Sequence, residues 1–336
     1  MSTPTRREVL GLGLTAGATA LSTSIALGAG DDQQSKLQFR IAPTHRPDVS
    51  GKTRRRLTQA ILDFLTETHP PSMTMAIWDI NPRDMPYLEE HIADTVSAVF
   101  SGVKANLDKH PVDPLLMLSL LYNESRYSPT ALSPAGALGI AQFMPNTALE
   151  YGLGPIARPE LWAKFRDERD AERKQRNANI RQFRKRFGVS TFSADTVIRK
   201  ALETERFEML AAYQLIKDAD TPGKAARDEY VSAVRADLAL YDYFNGGRDE
   251  MGILDARVTY DAAKAAVTYI AERLAENAGM TTTAIAAYNA GPASVRETNP
   301  RSVLFEYGDI PAFPETVRYV QRVLVVYSEI SERIAA

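Results

Sequence analysis

The chain contains no cysteine, which removes disulfides, thiol nucleophiles, zinc sites built on thiolates and a lipidated N-terminal cysteine. Histidine is scarce, and its positions show no metal-ligand spacing: His45, His69, His91 and His110. No phosphate-binding loop, calcium loop or nucleophilic triad motif is present. The sequence therefore predicts no metal site and no cofactor.

A strong net charge is also missing. The 336 residues carry a formal charge of -2 and have a mean hydropathy of -0.26. The charge gives no general attraction to nucleic acid or anionic lipid, and the hydropathy excludes a polytopic membrane protein. With 44% hydrophobic residues the chain can bury one large core or two modest ones, and no nucleic-acid partner is expected.

Residues 1–30 are predicted to be an export signal of the twin-arginine type. Arg6 and Arg7 precede a weakly apolar run from Val9 to Leu27, which ends in small residues before Asp31. Glycine, threonine and serine make this run less apolar than the ~20 strongly apolar residues of a stable anchor. We expect a cleaved signal, a periplasmic protein and no permanent membrane anchor, with an uncleaved anchor or a disordered tail as the alternatives.

Residues 31–110 are predicted to form an N-terminal linker and helical region. A polar linker to Lys52 is followed by a helix from Thr53 to about Thr66, and the short apolar stretch Met73–Ile80 is expected to be extended. Asp84 is predicted to cap a helix that runs to about Lys109, because its apolar residues recur at helical spacing.

The next helix has the clearest start signal in the chain. Asp113 is a candidate N-cap, Pro114 suits the first turn, and the run Leu115–Leu121 is apolar on nearly every face, which predicts a central helix. Glu124 comes near its C-terminal end. The helix dipole and a dry environment there both disfavour an ionised carboxylate.

The rest of the sequence is also patterned as helices, so the predicted fold is all-α. The predicted helices are Ala194–Lys217, Ala225–Phe244, Tyr260–Glu276, Thr281–Asn289 and Glu315–Ile334. Asn245-Gly246-Gly247 is expected to end the helix Ala225–Phe244, and Gly291 the helix Thr281–Asn289.

Glu124 opens a block of residues that suits cleavage of a glycosidic bond. Most glycosidases use two carboxylates, but only one lies in a strongly patterned block here. One acid suffices if it first protonates the glycosidic oxygen and then, as a carboxylate, takes a proton from a hydroxyl of the same sugar, without consuming water.

The segments Glu124–Ser133 and Ala135–Ala148, followed by Ala287–Pro292 and Phe313–Val320, resemble in content and order the motif blocks of soluble lytic transglycosylases. The resemblance covers about a third of the chain. It implies a lysozyme-like catalytic domain, here residues 111–336. It also implies that peptidoglycan strands are cleaved between N-acetylmuramic acid and N-acetylglucosamine, leaving 1,6-anhydro ends.

The resemblance also implies roles for individual residues. Glu124 would be the general acid and then the base, with Ser133 bonding near its carboxyl group. The residues implied to line, wall or support the substrate groove are Gln142, Met144, Tyr288, Asn289 and Glu315. Each has an ordinary alternative: Ser133 as a backbone-bonding turn residue, Met144 as core filler, Tyr288 and Asn289 as packing residues and Glu315 as a first-turn charge.

Residues 155–259 are longer than the usual connection in that family and are predicted to form a helical insertion beside the groove. Between Lys164 and Arg186, basic residues outnumber acidic ones ten to four. This stretch is either a solvated helix face or a surface for anionic glycan or a cell-wall protein partner. For the whole chain, a lysozyme-type hydrolase and an inactive glycan-binding scaffold are the alternatives to the lytic enzyme.

The export prediction is testable by replacing Arg6 and Arg7 with lysine. The precursor should then accumulate in the cytoplasm, measured by cell fractionation, because the twin-arginine route reads the guanidinium pair. The same change at Arg54 and Arg55, outside the signal, is the control. Undiminished export of the Arg6/Arg7 variant would exclude a twin-arginine signal.

Overall fold

The computed structural model describes residues 48, 50–70, 81–217, 222–239, 255–296, 302–305, 308–311 and 313–335. The described chain is mainly α-helical, as predicted. Several predictions lie wholly or partly outside the described residues: the export signal, most of the polar linker, the extended stretch Met73–Ile80, the end of the helix Ala225–Phe244 and the stop at Asn245-Gly246-Gly247. In the described ranges, no helix is both long and apolar enough to cross a membrane.

The chain divides into two compact units. The first consists of the residues up to Ala157 and from Leu238 onward; the second is Arg158–Asp237 and falls inside the predicted insertion 155–259. The helices of the predicted N-terminal region belong to the same unit as the residues predicted to form the catalytic domain.

The first unit contains the elements that carry the predicted site residues. Its elements are α1 (Gly51–Thr68), a 3-10 turn (Pro82–Asp84), α2 (Leu88–Ala105), α3 (Pro114–Ser125), α4 (Pro145–Glu150), a 3-10 turn (Ala256–Val258), α9 (Tyr260–Glu276), α10 (Thr281–Ala290), α11 (Pro292–Arg296), β1 (Ser302–Phe305), β2 (Gly308–Pro311) and α12 (Pro314–Ala335).

Helix α2 begins later than predicted. Asp84 is not its N-cap but the last residue of a 3-10 turn, which the side chain of Asn81 caps. Met85 precedes Pro86, whose ring disfavours the α conformation in the residue before it, and Met85 is extended with ψ 125°. The helix therefore starts at Leu88.

The linker prediction was also slightly too long, because α1 begins at Gly51, after the N-cap Ser50.

Helix α3 is the central element, as the sequence indicated. The carboxylate of Asp113 accepts a hydrogen bond from the backbone N–H of Leu115 at 2.8 Å, which confirms the predicted N-cap. Every residue of the helix except Asn123 is buried. Helices α2 and α12 both pack against it, and α9 packs along α2, so α3 is enclosed by neighbouring helices.

One element was not predicted. Strands β1 and β2 form an antiparallel hairpin in which Val303 pairs with Ile310 and Phe305 with Gly308. The hairpin follows α10 and α11, and β2 packs against α10 and α12. It therefore brings the chain from α10 to the start of α12 in the expected all-α region.

The second unit contains α5 (Pro159–Phe187), α6 (Ala194–Thr204), α7 (Glu208–Lys217) and all but the last two residues of α8 (Pro222–Ala239). The predicted single helix Ala194–Lys217 is broken at Glu205, which has a left-handed backbone with φ 55° and ends α6. Aromatic side chains form much of the buried interior of this unit, including Trp162, Phe165, Phe183 and Phe187. The basic residues of α5 lie mostly on its exposed positions.

The close packing of α2 on α9 depends on Gly102. A Cβ there would lie 2.8 Å from Cβ of Val267 and 3.0 Å from the carbonyl oxygen of Lys264. We expect Gly102→Ala to lower the free energy of unfolding, measured by urea denaturation. Overpacking costs about 1–3 kcal/mol, more than the roughly 0.5–1 kcal/mol that alanine gains over glycine in a helix.

The matched control is Gly51→Ala at the start of α1, where the nearest atoms are the ends of flexible arginine side chains 3.8 Å away. This variant should be as stable as the wild type or slightly more stable. Equal stability of the Gly102 variant would show that α2 and α9 are not packed at this distance.

Candidate active site

Glu124 lies in the last turn of α3 and has no exposed surface. The chain turns sharply after it, because Arg126 and Tyr127 both have left-handed backbones with φ 57° and 63°. The Tyr127 hydroxyl donates to the carbonyl oxygen of Leu118 at 3.1 Å, so the turn folds back on the helix. The burial predicted for Glu124 is confirmed.

His91 of α2 holds this turn in place. Its Nε2 lies 2.7 Å from the carbonyl oxygen of Tyr127 and its Nδ1 lies 2.9 Å from the Tyr260 hydroxyl. Burial lowers the pKa of His91, which favours the neutral ring. A carbonyl can only accept, so Nε2 carries the proton and Nδ1 accepts from Tyr260.

The carboxyl group of Glu124 contacts the last helix of the chain. The Tyr319 hydroxyl of α12 donates a hydrogen bond of 2.5 Å to Oε1 of Glu124, across 195 residues of sequence. Tyr319 is itself buried. At the other end of α3, the Tyr327 hydroxyl donates to Asp113 at 2.7 Å, so two tyrosines of α12 fix both ends of the central helix.

Residues 131–144 form a loop, here called the site loop, that follows the turn after Glu124. Isolated bridges pair Leu132 with Leu138 and Leu138 with Phe143, so the loop folds on itself. The backbone has positive φ at Gly136 (88°), Gly139 (80°) and Gln142 (51°). Glycine adopts this region without strain, whereas glutamine requires its surroundings to hold it there.

Side chains from other elements bind the carbonyl oxygens of the site loop. Ser125 donates from Oγ to the carbonyl oxygen of Ile140 at 2.8 Å, and the Tyr288 hydroxyl of α10 donates to that of Ala141 at 2.8 Å. The loop is thus fixed both to the end of α3, beside Glu124, and to α10.

Three predicted site residues are part of this loop: Ser133, Gln142 and Met144. The Oγ of Ser133 accepts from the backbone N–H of Ala137 at 2.9 Å, which is the turn role named as its alternative. Gln142 is buried, and its Nε2 donates to the carbonyl oxygens of Ala131 at 2.7 Å and Gly139 at 3.0 Å. Its buried Oε1 accepts no hydrogen bond from the described residues. This oxygen is therefore a candidate acceptor for a ligand donor.

Met144 is the N-cap residue of α4 and is 8% exposed, so its thioether is mostly buried. Asn289 of α10 is also buried, and its Oδ1 accepts a 3.1 Å hydrogen bond from Thr316 of α12. Glu315 lies half-buried in the first turn of α12, one helical turn before Tyr319.

Tyr288 belongs to a group of aromatic rings. Its ring centroid lies 6.2 Å from that of Phe143 and 5.1 Å from that of Tyr269, and the Phe143 ring stacks on Tyr151 at 6.0 Å. Burial raises the pKa of Tyr269 to about 12, so this phenol stays protonated at neutral pH. The cluster supports the site loop from the side of α9 and α10.

Sequence reasoning missed three residues of this region. Tyr319 and Thr316 stand inside the block Phe313–Val320 that carried the resemblance, but only Glu315 was selected from it. The helical spacing from Glu315 to Tyr319 puts both on one face of α12 and was a signal available in the sequence. The third is Arg257, whose Nη1 donates to the carbonyl oxygens of Gly136 and Phe143 in the site loop, and no sequence pattern marked it.

The site geometry agrees with a comparison to known families. Residues 102–172 match the model of the transglycosylase SLT domain. The chain contains a transglycosylase SLT domain. The matched residues run from the C-terminal turn of α2 through Glu124 and the site loop into α5, while α10 and α12 lie outside them. No solved structure matches the chain.

An SLT domain is lysozyme-like and mainly α, in agreement with the helical fold described above. It indicates peptidoglycan degradation of the lytic transglycosylase type, with peptidoglycan as the substrate. The predicted family and fold class are therefore confirmed.

The hydrogen bond from Tyr319 to Glu124 can be tested with Tyr319→Phe. A hydrogen bond to a charged group contributes about 1.5–3 kcal/mol, so kcat/KM on isolated peptidoglycan should fall about 10- to 100-fold. Turbidity loss of a sacculus suspension measures the rate. Tyr327→Phe is the control, since it removes a bond between the same two helices at the opposite end of α3. Equal activity of both variants would exclude a role for the Tyr319 hydroxyl.

Proposed function

We propose that this protein is a peptidoglycan lytic transglycosylase with Glu124 as its general acid and base. It cleaves the β-1,4 bond between N-acetylmuramic acid and N-acetylglucosamine without water and leaves 1,6-anhydro ends. The observation that carries the proposal is the carboxyl group of Glu124. It is fully buried at the end of α3, beside the site loop of an SLT domain, and is bonded to Tyr319.

The buried position suits the first half of the reaction. Because bulk water is kept away from the carboxyl group, its proton can pass directly to the glycosidic oxygen as the bond to the anomeric carbon breaks. The positive charge that develops at this carbon is stabilised by the neighbouring N-acetyl group of the substrate, as in substrate-assisted glycosidases.

The hydrogen bond from Tyr319 suits the second half. Once Glu124 has given up its proton, the Tyr319 hydroxyl stabilises the resulting carboxylate, since a hydrogen bond to a charged acceptor is stronger than one to a neutral acceptor. The carboxylate then takes the proton from the 6-hydroxyl of the muramic acid, whose oxygen closes onto the anomeric carbon. The acid is restored and no water is consumed.

The buried carboxylates also favour a lyase over a hydrolase. In the described part of the chain they are Glu124 and Asp255, and the oxygens of Asp255 are bound by Arg257 at 2.6 and 2.8 Å. Asp255 is therefore paired and unsuited to activate a water molecule. A second buried carboxylate that could serve as nucleophile or base does not occur among these residues.

Substrate binding must open the surface over the acid, because Glu124 has no exposed area in the structure. The buried Oε1 of Gln142 is a ready acceptor for a sugar hydroxyl or amide N–H. Met144, Tyr288 and Asn289 are proposed to line the path, with Glu315 in support. Ser133 has its own O–H available as a donor toward Glu124 or the glycan.

The site of action is proposed to be the periplasm, where peptidoglycan lies and where the predicted twin-arginine signal would deliver the enzyme. A protein partner for the insertion 155–259 stays a prediction from its basic composition.

Mass spectrometry of a peptidoglycan digest tests the reaction. Wild type should release muropeptides lighter by one water than hydrolysis products. Glu124→Gln should lower the rate by about 10²- to 10⁴-fold, the usual contribution of a general acid. The control is Glu272→Gln, which alters another carboxylate that accepts a hydrogen bond from a tyrosine, Tyr151, and should keep the wild-type rate.

The alternative functions give different outcomes. Products without the anhydro ring would identify a lysozyme-type hydrolase. Binding of sacculi without any product would identify a glycan-binding scaffold, and full turnover by Glu124→Gln would remove Glu124 from its proposed role.

A further inference from the structure

The most deeply buried charged side chain outside the acid belongs to Arg257, in the 3-10 turn before α9. Its relative exposure is 0%, and its partner Asp255 is 4% exposed. The guanidinium binds Asp255 with two nitrogens, Nη2 to Oδ2 at 2.6 Å and Nε to Oδ1 at 2.8 Å. This planar two-bond pairing neutralises the charge and fixes the orientation of the guanidinium.

The third guanidinium nitrogen of Arg257, Nη1, binds the site loop. Nη1 of Arg257 donates to the carbonyl oxygen of Gly136 at 2.9 Å and to that of Phe143 at 3.1 Å. These two carbonyls lie on opposite arms of the loop. Phe143 stands between Gln142 and Met144, so Arg257 binds the backbone between the two proposed groove residues.

The backbone of Arg257 also shapes the loop. A Cβ on Gly139 would lie 1.9 Å from the carbonyl oxygen of Arg257, so only glycine fits at this contact. The carbonyl oxygen of Gly139 in turn accepts a hydrogen bond from Nε2 of Gln142 at 3.0 Å. Arg257 thus determines where both the side-chain donor and the strained backbone of Gln142 lie.

The ion pair is held from the other side as well. Oδ2 of Asp255 accepts the backbone N–H of Ala157 at 2.7 Å, and the N–H of Ala256 donates to the carbonyl oxygen of Pro155 at 2.9 Å. The segments that precede and follow the second unit in sequence, Pro155–Ala157 and Asp255–Arg257, are therefore joined by hydrogen bonds at the ion pair. All of these residues lie in the first unit.

We propose that Arg257, oriented by Asp255, is a positioning residue of the lytic reaction, which sets the site loop so that Gln142 and Met144 face the glycan. This rests on the proposed function. Arg257 acts through the loop rather than on the reacting atoms, so it should affect binding of the glycan more than proton transfer by Glu124.

Arg257→Lys is the first test. A lysine ammonium keeps the charge but has one nitrogen, so it cannot pair with both oxygens of Asp255 through two nitrogens while a third binds the carbonyl oxygens of Gly136 and Phe143. We expect kcat/KM to fall about 100-fold, the scale of a misplaced binding group. The loss should appear mainly as a higher KM, while the pH profile of kcat stays that of the wild type because Glu124 is untouched.

The binding readout does not need turnover. Affinity for a soluble N-acetylglucosamine oligosaccharide, measured by calorimetry, should fall by a similar factor in Arg257→Lys. The control is Arg333→Lys, the same change in an arginine that pairs with Glu67 and lies over the Phe64 ring, 5.4 Å from its centroid. Its KM and oligosaccharide affinity should equal those of the wild type.

Circular dichroism separates positioning from mere stability. Circular dichroism gives the melting temperature of each variant, and KM and affinity are measured well below it. If Arg257 only stabilised the fold, the folded variant would keep the wild-type KM and affinity under these conditions. Such a result for Arg257→Lys would overturn the proposal. If Arg257→Lys does not fold, Asp255→Asn decides: it keeps the shape of the pair but removes the counter-charge. An unchanged KM and affinity would then reject the proposal.

The two proposals fail separately. A wild-type enzyme that releases no anhydro products would reject the proposed reaction, while the oligosaccharide affinities would still test Arg257. An active wild type with Arg257→Lys at full affinity would reject the positioning role alone.

Discussion

The structure of this protein depends on keeping one carboxyl group out of water. A buried carboxylate costs several kcal/mol unless donors meet it, and the Tyr319 donor to Glu124 comes from the far end of the chain. Helix α12 must therefore return to α3, and the tyrosine pair Tyr319 and Tyr327 fixes it there at both ends. The hairpin connects α10 to α12 and packs on both helices. The hydrogen bond from Thr316 to Asn289 also joins α12 to α10.

A second constraint is the strained loop beside the acid. Its backbone has positive φ at Gln142, a conformation that costs free energy for any residue but glycine. The surrounding structure offsets this cost by binding the loop's carbonyl oxygens from Ser125, Tyr288 and Arg257. Each donor comes from a different element, so the loop is held from several sides. A loop held in this way keeps a defined backbone conformation beside Glu124, which lowers the entropy that would be lost in ordering it.

Local signals predicted much of the fold, and the failures have local causes. The cap Asp113 with Pro114 and the periodicity of α9 were correct, because capping and amphipathic spacing are properties of neighbouring residues. The start of α2 was wrong because Pro86 displaced the helix, and the split at Glu205 was missed because no glycine or proline marked it. The hairpin was missed because its pairing depends on packing against α10 and α12. At the site, the block around Glu124 was recognised, whereas Tyr319 and Arg257 were not selected.

The sequence by itself determined the helical fold class and the central helix with Glu124 at its end, because these follow from periodicity and capping, and its ordered motif blocks were enough to indicate the SLT domain. Only the tertiary structure decided which groups meet the acid and what holds the site loop. Those contacts join residues 195 positions apart, as in Tyr319 with Glu124, and 121 positions apart, as in Arg257 with Gly136. A hydrogen bond or a buried ion pair depends on distances of a few ångströms between groups that sequence spacing does not bring together.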